Sequence, residues 1–144
     1  MTVAGKDVSI KTRQNNCERK YSFQVVSAGT IYQGALVGMA SQTTGALAAT
    51  DTASQWFVGL AQKQVVNAAS GTSRVETVLG VEALLTSSNI LVTSIGVSAE
   101  VVDYSTVDLA AGTTRHVEVG RIMEYGTATT TWVWLGQNKG VIAA

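Results

Sequence analysis

The sequence predicts a mainly β, single-domain protein: a small β-barrel or β-sandwich with an extended N-terminal arm. Three observations predict it. Short runs of apolar and β-branched residues recur at roughly 8–12-residue spacing, with Gly, Ser, Asn or Asp between them. The chain has fourteen Gly and no Pro, and Val, Ala and Thr fill the runs. At 144 residues it has the length of one domain, large enough to bury a core without a metal or disulfide.

The elements follow in order. Residues 1–20 carry Lys6, Lys11, Arg13, Arg19 and Lys20 against Asp7 and Glu18, and no large apolar residue follows Ile10. They read as an extended arm that orders on a partner, or as a frayed terminus. The body, 21–135, starts where Tyr21, Phe23 and Val25 alternate with Ser22, Gln24 and Val26, the period of a strand. Ala28-Gly29 breaks it, and Ile31 to Ala40 is the next strand, interrupted by Gly34 and Gly38. Glycines inside a strand signal bulges or close backbone approach. Thr43-Thr44-Gly45 turns into a short strand from Ala46 to Thr50, Asp51-Thr52 turns again, and Gln55 to Val66 is a longer strand.

After a loop at Asn67 to Thr72, Ser73 to Leu85 is a strand. Its Val and Leu residues also fit helical spacing, but the segment is β-branched and Gly80 disfavours a helix by about 1 kcal/mol. Strands are expected at Ile90 to Ile95, Val97 to Tyr104 and Val107 to Leu109, then at His116 to Tyr125. Gly126 to Thr130 is a turn, Thr131 to Leu135 closes the body, and 136–144 is a C-terminal tail. A weak internal echo links Ala35-Leu36-Val37 and Val58-Gly59-Leu60-Ala61 with Ala99-Glu100-Val101 and Val119-Gly120-Arg121-Ile122.

The formal net charge is zero and 14% of residues are charged, against about 25% in ordinary domains. That argues against nucleic acid, whose phosphates need an excess of Lys and Arg. The surface falls instead to neutral residues, with eighteen Thr and twelve Ser, which suits close packing against protein. Lys6, Asp7, Lys11 and Arg13 stand where a signal peptide would need an apolar stretch, and no run has the length of a membrane span. A soluble protein made in the cytoplasm, without a membrane partner, is expected.

No set of chemical groups stands out. Cys17 is alone, which forbids an internal disulfide, and His116 is the single His, so a His/Cys metal site is excluded by counting. His116 reads as an exposed residue at a strand end. Gly96-Val97-Ser98-Ala99-Glu100 lacks the final Gly of a nucleophile elbow. Glu100 and Asp103 are three apart, on opposite faces of a strand. Asp103 and Asp108 are too few ligands for a calcium loop. No enzyme activity, cofactor or metal is expected. The aromatics are the remaining candidates. Trp132 and Trp134 flank Val133 and share one strand face, either as core or as an aromatic shelf for a sugar or protein. Trp56 and Phe57 point to opposite faces, one into the core and the other toward a subunit contact.

A further pattern runs through Gly34 to Met39, the Thr43 to Ala46 turn and Phe57 to Ala61, then Val97-Ser98 through Val101-Val102-Asp103-Tyr104 to Val107, Val119-Gly120-Arg121-Ile122 and Trp132-Val133-Trp134-Leu135. In it the chain resembles the capsid decoration, or cement, proteins of tailed bacteriophages, although the Trp pair and the charged arm before Tyr21 are not part of that resemblance. It covers roughly residues 25–135. It implies a β-tulip-like body and a structural virion protein on the capsid exterior, made in the host cytoplasm. Such a protein stabilises the head by bridging neighbouring major capsid protein subunits. It also implies self-association, with a trimer favoured and a dimer possible. Lys6, Lys11, Arg13, Arg19, Lys20, Trp56, Trp132 and Trp134 are the candidate capsid or subunit interface. A tail or fibre subunit and a carbohydrate-binding β module are the rivals.

Overall fold

The computed structural model describes residues 7–40, 44–51, 55–87, 89–90 and 92–136, the side chains of 14–17 and 92 excepted. Among them are eleven strands: β1 (Thr12–Gln24), β2 (Thr30–Ile31), β3 (Leu36–Met39), β4 (Ala46–Ala48), β5 (Trp56–Ala61), β6 (Val65–Val66), β7 (Arg74–Ser87), β8 (Ser98–Asp103), β9 (Thr106–Asp108), β10 (Glu118–Thr127) and β11 (Thr130–Leu135). The described residues form no α-helix, only 3₁₀ turns at Val92–Ser94 and Ala110–Gly112. The protein is mainly β and contains a closed five-strand barrel with extra strands.

The long strand β7 organises everything. Glu82 is the register partner of Arg13 on β1 and of Trp134 on β11, which is possible only if the two partners lie on opposite edges of β7. The C-terminal half of β7 closes the barrel. Its order is β7–β9–β8–β10–β11, and the return pairing runs from Thr130 opposite Thr86 to Trp134 opposite Glu82. The β7–β9 seam is parallel, at Thr86–Thr106 and Ser87–Val107.

The N-terminal half of β7 belongs to another ring, the first in chain order, with the same strand order. There β7 pairs β5, β5 pairs β3, β3 pairs β4, and β1 pairs β7. The gap between β4 and β1 is spanned by one parallel bridge among the described residues, Val25 to Ala46. Each ring thus has a hairpin (β3–β4 or β8–β9), a third strand added to its first member (β5 or β10) and a parallel seam. The sequence echo falls on these equivalent strands. Val37 stands opposite Gly59, and Ala99 opposite Gly120. Both glycines have positive φ, 135° and 155°. A Cβ on Gly120 would run into the Trp134 carbonyl oxygen, and one on Gly59 would press on Thr77.

Two hydrophobic clusters fill the rings. Val37, Met39, Val58, Ala61 and Val75 belong to the first. Val101, Val119, Ile122, Val133 and Leu135 belong to the barrel cluster, which Leu36, Phe57 and Leu60 of the first ring also join. β3 and β5 are therefore buried on both faces after Trp56, and their residues read as continuous apolar runs rather than alternation.

Several expected boundaries move. The Ile31 to Ala40 strand divides into β2 and β3 around Gly34 (φ 81°), and the Gln55 to Val66 strand divides into β5 and β6. Within the expected strand from Ile90 to Ile95, Val92–Ser94 is a 3₁₀ turn, and the left-handed Asn89 (φ 60°) and Gly96 (φ 87°) end extended backbone on either side of it. The chain does not change character at residue 20: β1 runs from Thr12 to Gln24, so the described part of the arm is extended but docked on its own body. Most of the expected tail lies outside the described residues.

Candidate functional site

One outer wall of the barrel gathers three of the candidate residues, Arg13, Trp132 and Trp134. On β11 the inward residues are Thr131, Val133 and Leu135, and the outward ones Thr130, Trp132 and Trp134. The Trp pair does share a face, and that face is outside the core. The alternative of a core Trp pair fails because Val133 and Leu135 already fill the barrel.

Arg13 sits on this wall. Its guanidinium carbon lies 3.7 Å from the centroid of the Trp132 ring, a cation–π contact. Its amino groups donate to Glu82 at 2.6 Å and to Glu124 at 3.0 Å. One side chain from β1 thus clasps β7, β10 and β11. Desolvation works against the Arg13 charge, but the bonds to Glu124 and Glu82 outweigh it and raise the pKa. The rim of this clasp is open to water, so its ion pairs are screened by salt.

The neighbouring strand adds apolar surface. Ile122 pairs with Val133 and Glu124 with Trp132, which leaves Met123 as an extra residue in a bulge. Met123 is 47% exposed. The Gly96 and Ile122 main chains are joined at 2.7 Å, and Ile122 N donates to Val97 O at 2.9 Å, which brings Ile95 and Val97 beside β10. Both are exposed, so Ile95, Val97 and Met123 form an apolar patch next to the Trp pair. Arg121, opposite Trp134, ties the patch down by donating to Gly96 O at 2.9 Å.

The other described candidates are Lys11, Arg19, Lys20 and Trp56. Lys6 is outside the described residues. Lys11 is exposed, and its carbonyl accepts from Leu84 N at 2.9 Å. Arg19 and Lys20 are exposed on β1 opposite Leu79 and Val78. Trp56 is 41% exposed at the start of β5, while Phe57 is core. That division matches the expected opposition of the two rings. Sequence reasoning missed Glu82, Glu124, Ile95, Val97 and Met123, since their association depends on strand order and on the bulge. The one local hint, the alternation of Val117, Val119 and Met123 with Glu118 and Glu124, put Met123 with the inward residues, and the bulge turns it outward.

A second polar cluster lies at the β8–β10 end. Glu100 is buried, and its Oε1 accepts from Thr113 Oγ1 at 2.5 Å and lies 2.8 Å from His116 Nδ1. His116 is exposed, as expected, with φ 56°. The trio is not a nucleophile–base–acid relay. A relay needs the hydroxyl and the carboxylate on opposite ring nitrogens, whereas both meet Nδ1 here. The cluster instead fixes the loop before β10, together with Asp51, which accepts from the Thr114 and Arg115 amides at 2.7–3.0 Å. Asp103 and Asp108 do not flank one turn as a ligand pair: Asp103 caps Ser105, and Asp108 stands opposite Glu100. Among the described residues no three acidic, His or Cys groups are placed to hold a metal.

No protein-family model matches this chain, and no curated protein matches its sequence. The geometry of the wall therefore carries the functional reading.

Proposed function

We propose that this chain is a structural virion protein. It binds the outside of a phage capsid and stabilises it by bridging neighbouring major-capsid subunits, acting as a self-associated unit, with a trimer favoured over a dimer. The observation that carries this reading is the outer wall: Ile95, Val97 and Met123 exposed beside Trp132 and Trp134 on a chain with few charges. Apolar and aromatic side chains ringed by paired charges are the composition of a protein-docking face. Attachment of several linked copies gains avidity without a tight single contact. Catalysis and cofactors have no part in the reading, and virion attachment follows synthesis in the host cytoplasm. The sugar-shelf reading is weakened by Arg13, which occupies a face of Trp132.

The test is co-sedimentation of the purified protein with capsids that lack it. Saturation at a fixed simple ratio to the major capsid protein is expected. Well-folded protein that stays in the supernatant would sink the proposal.

A further inference from the structure

β1 is two paired stretches rather than one. Arg19 to Gln24 pairs with Leu79 to Arg74, and Thr12 to Gln14 pairs with Ala83 to Val81. Between them, residues 15–18 of β1 stand against Gly80 alone, since Gln14 faces Val81 and Arg19 faces Leu79. Gly80 has φ 80°, which fits a bulge of this size.

The segment before that bulge lies on the surface of the body. Its main chain is bonded from Val8 N to Gln33 O at 2.8 Å and from Leu84 N to Lys11 O at 2.9 Å. Asp7 accepts from Gln33 N at 2.9 Å. Val8 packs against the first-ring cluster and Ile10 against the barrel cluster. Arg13 supplies the clasp on Trp132, Glu82 and Glu124. The fit is incomplete. A pocket of about 170 Å³ lies beneath the segment, lined by Val8, Ile10, Thr12, Gly34, Leu60 and Ala61 among others.

We propose that residues 7–14 exchange between copies of this chain: the segment of one copy occupies the groove of a second, with residues 15–18 as the connection that redirects it. The groove's occupant is shown by the structure itself, because the segment already fits there. A second copy offers the same Val8, Ile10 and Arg13, so exchange keeps the main-chain bonds, both apolar insertions and the Arg13 clasp. Only the path of 15–18 changes, and four extended residues span about 13 Å. Identical elements exchanged with the contacts of residues 7–14 kept are the low-cost route to an oligomer, limited by the entropy of association and so dependent on concentration. This deepens the self-association in the proposed function and does not depend on a capsid.

The test uses the full chain with Cys17→Ser, Lys11→Cys and Leu84→Cys. The two new thiols sit on residues joined by a main-chain bond, within the reach of a disulfide across a strand pair. After oxidation at high protein concentration, we expect non-reducing gels to show chains covalently joined in twos or more. Reductant should reverse the joining, and either single-cysteine variant should lack it. A disulfide closed only within single chains would overturn the proposal. Two thiols left free would overturn it as well, since residue 11 would then lie beside residue 84 in neither copy. If this variant does not fold, Thr12→Cys with Ala83→Cys, the adjoining register pair, carries the same test. The measurement needs no capsid, so its failure leaves the capsid reading standing.

Discussion

The two rings that share β7 have the same strand order but not the same closure. In the barrel, β10 and β11 pair from Gly120–Leu135 to Thr127–Thr130, and β11 returns to β7 along the whole stretch from Glu82 to Thr86. In the first ring, the equivalent step from β5 to β7 is limited to Leu60–Val78 and Ala61–Thr77. The reason is competition. From Glu82 onward that edge of β7 belongs to β11, so β5 must leave it. A strand shared by two rings cannot serve both along its whole length. The ring that loses the edge depends instead on side chains, with Leu36, Phe57 and Leu60 plugged into the barrel cluster.

This difference can be broken at graded cost. Phe57→Ala removes the largest side chain that ties the first ring to the barrel, and should cost about 4 kcal/mol in urea unfolding. An ordinary surface-sized loss would show that the first ring is held by its main chain instead. Gly120→Ala drives a Cβ into the Trp134 carbonyl and should cost about 3 kcal/mol. The equivalent Gly59→Ala should cost about 2 kcal/mol, because part of what it meets is a Thr77 side chain. Equal costs would mean that the barrel is no more rigid than the ring beside it.

Hydrogen exchange sharpens the comparison without mutation. Amides of β5 should exchange about tenfold faster than those of β11, since the short β5–β7 ladder opens locally. Uniform protection would make the two rings one cooperative unit. The gentlest perturbation is on the barrel's outer wall. Val97→Asp with Met123→Asp should change stability by less than about 0.5 kcal/mol per site while weakening capsid co-sedimentation by about tenfold or more. Undiminished attachment would place the docking face elsewhere.

The docked β1 changes how the arm must be tested. Removing residues 1–20 would take away the Thr12–Gln14 pairing and part of the Arg19–Gln24 stretch, so lost attachment would not separate arm from fold. Arg13→Ala is the cleaner variant. It frees the Trp132 ring and both carboxylates but leaves the strand, and a shift in tryptophan fluorescence on raising salt in the unaltered chain should resemble the effect of the variant.

Much of the β body was legible in the chain. Turn residues separated most strands, β-branched runs marked their interiors, and the weak echo fell on equivalent strands of the two rings. The Trp132–Trp134 face was legible from period-two geometry alone. Which way it pointed was not, because Val133 and Leu135 were equally suited to the interior. The Ile90 to Ile95 segment misled for a related reason: its apolar residues fit a strand, but the chain is left-handed at Asn89 and Gly96, and Gly96 is bonded through its main chain to the distant Ile122.

By itself, then, the sequence determined the element type and the alternation of faces, which are local consequences of side-chain shape and of the two-residue period of a strand. Tertiary structure decided the sharing of β7, the winner of its contested edge and the meeting of Arg13 with Trp132, Glu82 and Glu124. Those outcomes join residues as far apart as 13 and 124, and strand pairing at such separation depends on how the whole sheet closes, which no local pattern encodes.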